Sequence, residues 1–263
     1  MENVLEEVKA CFVKDLLSKG KRSDGRAVMD YRDVSVEKGV LPNDDGSALC
    51  KIGGTKVFAA TKFDFMMPFS DRPDEGVFMV GCEFSPMAHS SFEPGPPREE
   101  SIECARVVDR GVRGAELVSL KMLGETKTEE KKVLSLFLDL HVVDHCGNLI
   151  DAAVLAATAA FSCTRMPKIE DDKIVRGEHA AGTLPLERLV ASCSLERIAG
   201  HFVADATREE EVASDGRLTI SCTSDGFVCA AQKSGAAGLA DEELLALVDV
   251  AKGKSKELLK KID

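Results

Sequence analysis

The chain has 263 residues, 44% of them hydrophobic and 30% charged, which is the composition of an ordinary globular protein with room for a sizeable core. Its formal net charge of −11 excludes a protein that binds nucleic acid through a broadly basic surface, because phosphates are neutralised by Lys and Arg; any such contact must be a small local cluster. No apolar run reaches membrane-spanning length, the N-terminus carries Glu2, Glu6 and Glu7 instead of an apolar block, and the nine scattered cysteines show no CxxC, so a cytoplasmic protein with reduced, mostly buried thiols is expected.

Residues 4–19 read as a helix with Val4, Val8, Phe12 and Leu16 along one line, Asn3 as N-cap and Gly20 as stop. Strands follow at 47–52 and 56–65, joined across Gly53-Gly54-Thr55, and at 77–84. The loop 93–97 holds Pro94, Pro96 and Pro97, which keep the chain extended before a helix from about 99 or 101 to 117. Ala105, Val108, Val112 and Ala115 form its expected apolar face.

Residues 133–144 alternate most clearly, with Leu134, Leu136, Leu138, Leu140 and Val142 on one side. An alanine-rich helix at 151–164 is apolar nearly all round and so is expected against a sheet. The polar stretch 167–182 reads as a linker or surface excursion. Short strands at 189–193, 201–204, 218–222 and 227–231 precede a last helix at 241–261, acidic at its start and basic at its end, as the helix dipole favours. The segments divide into a leading helix (1–20), a first part (21–167) and a C-terminal part (183–263) of a mixed α/β protein.

Arg106, Arg110 and Arg113 are spaced i, i+4, i+7 and share one helix face, where guanidiniums can pair with adjacent phosphates. The plain alternative is a solvated face, with Glu103 pairing to Arg106 and Asp109 to Arg113 at ordinary surface spacings. Lys62, Arg98 and Lys233 are weaker basic candidates. His141, His145 and Cys146 do not put three ligands on one side of a strand end, so no metal site is expected. Asp139 and His141 read as a polar pair at a sheet surface or subunit contact, and Arg22 and Arg26 as partners for acids of a neighbouring subunit instead of RNA.

Seven segments together resemble one family. They are Arg22-Ser-Asp24-Gly25-Arg26, residues 45–57 with Asp45-Gly46-Ser47-Ala48 and Gly53-Gly54-Thr55-Lys56-Val57, Phe92-Glu-Pro-Gly-Pro-Pro97, Glu103-Cys-Ala-Arg106-Val-Val-Asp-Arg110, residues 140–153, Asp205-Ala-Thr207-Arg-Glu209-Glu210, and Gln232-Lys233-Ser234-Gly235. The family is the RNase PH-like subunits of the RNA-degrading exosome ring, and the pattern is most similar to the non-catalytic subunit of the archaeal type.

The resemblance implies an α/β (α+β) RNase PH-like fold with halves like ribosomal protein S5 domain 2. It implies a trimer-of-dimers ring with a catalytic RNase PH-like subunit, RNA-binding cap subunits, and 3′-to-5′ degradation of single-stranded RNA using inorganic phosphate held by the catalytic partner. For this chain it implies RNA binding by Arg106 and Arg110, with Arg113 on the same face, and no cofactor or catalytic residue. Three departures support the last point. Ile150 stands where catalytic relatives carry an arginine, Arg217 where they carry a second aspartate after Asp215, and Lys233-Ser234-Gly235-Ala236-Ala237 where they carry a phosphate loop. The alternative is an active phosphate-dependent exoribonuclease of the RNase PH or polynucleotide phosphorylase type.

Overall fold

The computed structural model describes residues 2–126 and 128–262, with side chains from residue 7 onward. Eleven strands and six α-helices are formed among the described residues. Helix α1 (Glu2–Ser18) comes first, and Gly20 ends it at φ +68°, a conformation glycine adopts without strain. Asn3 lies inside this helix, so it is not the cap. The line through Val8 and Phe12 is also not the docked face. Both are more than half exposed, and Val13 and Leu17 are buried instead, against Ile198, Val203, Ala206 and Ala213.

Five strands form the first sheet, in the order β1-β2-β3-β5-β4: β1 (Val34–Lys38), β2 (Gly46–Ile52), β3 (Thr55–Met66), β4 (Val77–Phe84) and β5 (Val133–Asp144). β2 and β3 form a tight antiparallel hairpin across Gly53-Gly54, and β3 pairs along β5. β4 runs parallel to β5, which requires a crossover. Helices α2 (Glu99–Gly114) and α3 (Leu120–Glu125) supply it.

The second sheet is antiparallel, in the order β11-β10-β8-β9: β8 (Val190–Ile198), β9 (His201–Ala204), β10 (Gly216–Thr223) and β11 (Val228–Gly235). Helix α5 (Arg208–Val212) is only five residues long and starts on a capping box between Thr207 and Glu210. Helix α6 (Asp241–Leu259) covers the face of this sheet that carries Cys193, Leu195, Leu218 and Ile220.

Helix α4 (Leu149–Ser162) lies between the two sheets, packed on β2 and β3 on one side and on β8 on the other. That is why every residue from Ile150 to Phe161 is buried and why its sequence shows no polar face. One core cluster runs from β3 and β5 through α2 and α4 to Val190 and Ala191 of β8. Residues 167–182 are a surface excursion and not a linker: β6 (Arg165–Glu170) and β7 (Lys173–Thr183) form an antiparallel hairpin on the surface. Five cysteines are buried, but Cys11 and Cys146 are exposed, and all nine are free thiols. Among the described residues, no helix is long and apolar enough to cross a membrane.

Candidate nucleic-acid interface

Helix α2 runs between the edge strands of the two sheets, β4 and β11. Its buried side carries Cys104, Val107, Val108, Gly111 and Val112, while the expected Ala105 is only half-buried. Gly114 is needed for close approach to β11, because a Cβ there would sit 2.5 Å from the Cys229 carbonyl oxygen. The opposite side presents Arg106, Arg110 and Arg113, all exposed, along a groove of about 530 Å³ that Val80 of β4 and Cys229 of β11 also line.

The three arginines differ in what holds them. Arg113 donates to Asp109 at 2.7 Å, reaches the Phe78 carbonyl at 3.2 Å and lies over the Phe78 ring. Its charge is matched by a carboxylate one turn away. Arg110 donates through Nη1 to Gln232 Oε1 at 2.8 Å, a neutral acceptor. Arg106 has no polar partner among the described residues. Glu103, the expected mate of Arg106, instead accepts from Arg217 at 3.1 Å and from Gln232 Nε2 at 2.7 Å.

The weaker candidates are engaged within the chain. Lys62 lies 3.6 Å from Asp44, Arg98 pairs with Glu93, and Lys233 donates to the Gly235 carbonyl at 2.6 Å. His141 faces Glu83 across the sheet at 3.6 Å, whereas His145 is buried and stacked on Phe92. Burial and the nearby Arg208 depress His145 to a pKa of about 3, so the ring is neutral.

The three departures from the catalytic pattern meet at two small spaces. Ile150, Ser194, Glu196, Glu211 and Arg217 enclose about 10 Å³, enough for one water at most and too little for phosphate. A second space of about 10 Å³ lies between Arg217, Lys233 and Ala237. The Ala237 N–H, which an anion cradle would need, donates to the Asp215 carbonyl at 3.0 Å. Asp215 pairs with Lys14 and accepts the Ala199 N–H. Arg217 lies 4.0 Å from Glu196, whose carboxyl burial pushes up to about 7 against the pull of Ser214 and Arg217.

The segments that carry the resemblance have a structural job. Arg22 and Arg26, expected to reach acids of a neighbour, bind acids of this chain: Glu210 for Arg22, Asp24 and Asp205 for Arg26. Asp205 is buried and also takes Arg32 and Asn148 Nδ2 at 2.7 and 2.8 Å. Burial alone would raise the Asp205 carboxyl, but Arg32 and Asn148 outweigh it and hold it low. Gly147, at φ +95°, lets the turn before α4 pass this cluster, where a Cβ would stand 2.3 Å from the Ala206 carbonyl. Sequences more than a hundred residues apart are thereby clamped into one body.

Residues 30–167 match the model of the 3′ exoribonuclease family, domain 1, and residues 188–254 match domain 2 of the same family. The chain belongs to the RNase PH family of 3′ exoribonucleases. Among curated relatives of this RNase PH-like chain is the protein named exosome complex component Rrp42 of Methanothermobacter thermautotrophicus, 38% identical over 263 residues and covering 99% of this chain and 96% of the relative. The protein of that name from Pyrococcus furiosus is 39% identical over 252 residues, covering 95% and 90%. A chain of the Archaeoglobus fulgidus exosome, solved with RNA bound to the active site, superposes with a TM-score of 0.89 at 36% identity, covering 99% of this chain and all of that one. Rice Rrp46, at 17% identity and a TM-score of 0.69, shares the fold.

Proposed function

We propose that this chain is the non-catalytic ring subunit of an archaeal-type exosome, and that it grips single-stranded RNA with Arg106 and Arg110 beside the active site of a catalytic RNase PH-like partner. The carrying observation is a contrast within one molecule. The open face of α2 offers two guanidiniums whose charge no carboxylate cancels among the described residues, while the spaces at Ile150 and Arg217 are too small for phosphate. Positive charge at an exposed groove attracts a phosphate backbone without reading its bases. A chain of net charge −11 does this only where its few free cations are gathered.

In this reading the partner holds the inorganic phosphate and the catalytic carboxylates, and this chain needs no cofactor. Three copies of each subunit alternate, with RNA-binding cap subunits above them. Arg113, tied to Asp109, borders the grip and adds least to it. The names of the relatives and the RNA-bound assembly of a similar chain favour this reading over an autonomous phosphorolytic enzyme.

The test is a charge reversal. Arg106→Glu with Arg110→Glu should leave the mixed ring intact by native mass spectrometry and weaken its RNA binding. Parental RNA affinity in that variant would return the α2 arginines to a merely solvated face.

A further inference from the structure

Gln232, on β11, bridges two turns of α2. Its Oε1 accepts from Arg110 Nη1 at 2.8 Å and its Nε2 donates to Glu103 Oε1 at 2.7 Å. The same Glu103 oxygen accepts from Arg217 Nη2 at 3.1 Å. Arg217 sits beside Glu196, which is buried and accepts from Ser214 Oγ at 2.6 Å. A polar chain thus starts at a buried carboxylate of β8 and ends at an exposed guanidinium.

Chemistry fixes the direction of each bond. A carboxylate only accepts and a guanidinium only donates, so the Gln232 amide satisfies both neighbours in one orientation and neither in the other. Arg217 holds Glu103, Glu103 sets the amide, and the amide sets Arg110. Among the described residues, only one of the five Arg110 N–H groups is engaged, and the acceptor is uncharged. Asp109, by contrast, takes two donors of Arg113 and cancels its charge.

We propose that Gln232, oriented by Glu103 and Arg217, is a positioning residue that presets Arg110 for a backbone phosphate of single-stranded RNA. This rests on the reading that Arg110 grips RNA. A long side chain that is free to rotate loses that freedom on binding; one already held does not, and its affinity is higher for that reason.

The test uses the ring assembled with the catalytic partner, in phosphate-free buffer, with a fluorescein-labelled single-stranded oligoribonucleotide read by anisotropy. Gln232→Leu should raise Kd by about 3- to 10-fold, the scale of ordering one long side chain. Arg110→Ala should raise it at least as much, and the double variant should match Arg110→Ala alone, because Gln232 acts only through Arg110. The salt dependence separates the roles: Gln232→Leu keeps the parental slope, whereas Arg110→Ala lowers it by about one. Gln232→Glu, which offsets the Arg110 charge and replaces the donor to Glu103 with a second carboxylate, should weaken binding and lower the slope.

Additive losses in the double variant, or parental affinity in both Gln232 variants, overturn the inference and leave the Arg110 grip standing. Parental affinity in Arg110→Ala overturns the grip and the inference together.

Discussion

Arg22 forks onto Glu210, with Nε at 2.9 Å from one carboxylate oxygen and Nη2 at 2.6 Å from the other, and both side chains are shut off from solvent. Further donors of Arg22 reach the Ala204 and Asp205 carbonyls at 2.9 and 2.8 Å. Removing one partner of such a pair strands a buried charge, at a cost of about 3–5 kcal/mol. Arg22→Met should therefore lower the urea midpoint strongly, and Arg22→Met with Glu210→Met should recover part of the loss. An unchanged midpoint in the single variant would contradict this role.

The docked face of α1 gives a second prediction. Leu17 is 1% exposed and Val8 is 61% exposed. Leu17→Ala should cost about 2–5 kcal/mol, as buried Leu truncations do. Val8→Ala should change stability by less than about 0.5 kcal/mol, the usual range for surface substitutions. Chemical denaturation of the two variants decides it, and equal losses would mean that α1 docks otherwise.

Glu196 predicts a pH dependence. Its carboxyl ordinarily titrates near 4.5, but in the folded chain burial pushes it up to about 7. Between those values the folded state keeps a proton that the unfolded state has lost. Its contribution to stability is fully present below pH 4.5, falls as pH rises towards 7, and is level above that. Glu196→Gln should gain about 2–3 kcal/mol on the parent between pH 4.5 and 8. Urea midpoints measured across that range check it; a constant gap between the two proteins would contradict it.

The arginine face should separate by salt titration of RNA binding in the assembled ring. Arg106→Ala should lower the slope of log affinity against log salt by about one, the effect of a lost phosphate contact. Arg113→Ala should lower it by clearly less, because Asp109 already matches its charge. Equal slopes for these two variants would show that the Asp109 pair does not shield Arg113.

Much of this architecture is written in local pattern. β5 is legible because leucines alternate along it, and the β2–β3 turn because two glycines stand where the chain must reverse. The face of α1 is not legible, since each step of four residues overshoots a turn by about 40°, and docking on α5 and the β8–β9 hairpin selects Val13 and Leu17. The β6–β7 hairpin escapes detection because it is polar and largely exposed on both faces, and α5 because five residues held by one capping box leave no periodicity.

The site divides in the same way. The shared face of Arg106, Arg110 and Arg113 follows from helical spacing, and so does the Asp109–Arg113 pair. The Glu103 bonds do not, because its partners Arg217 and Gln232 lie 114 and 129 residues away and displace the local mate Arg106. Arg22 and Arg26 were visible as cations in search of acids. That those acids are Glu210 and Asp205 of the same chain required the fold.

The most direct test of the proposed non-catalytic role is an assay of the homogeneous chain with single-stranded RNA and inorganic phosphate, reading nucleoside diphosphates by chromatography. No release is expected from the chain alone, and phosphate-dependent release once the catalytic partner is added. Release by the chain alone would contradict the account, since it would mean that phosphate and scissile bond are served from within this polypeptide.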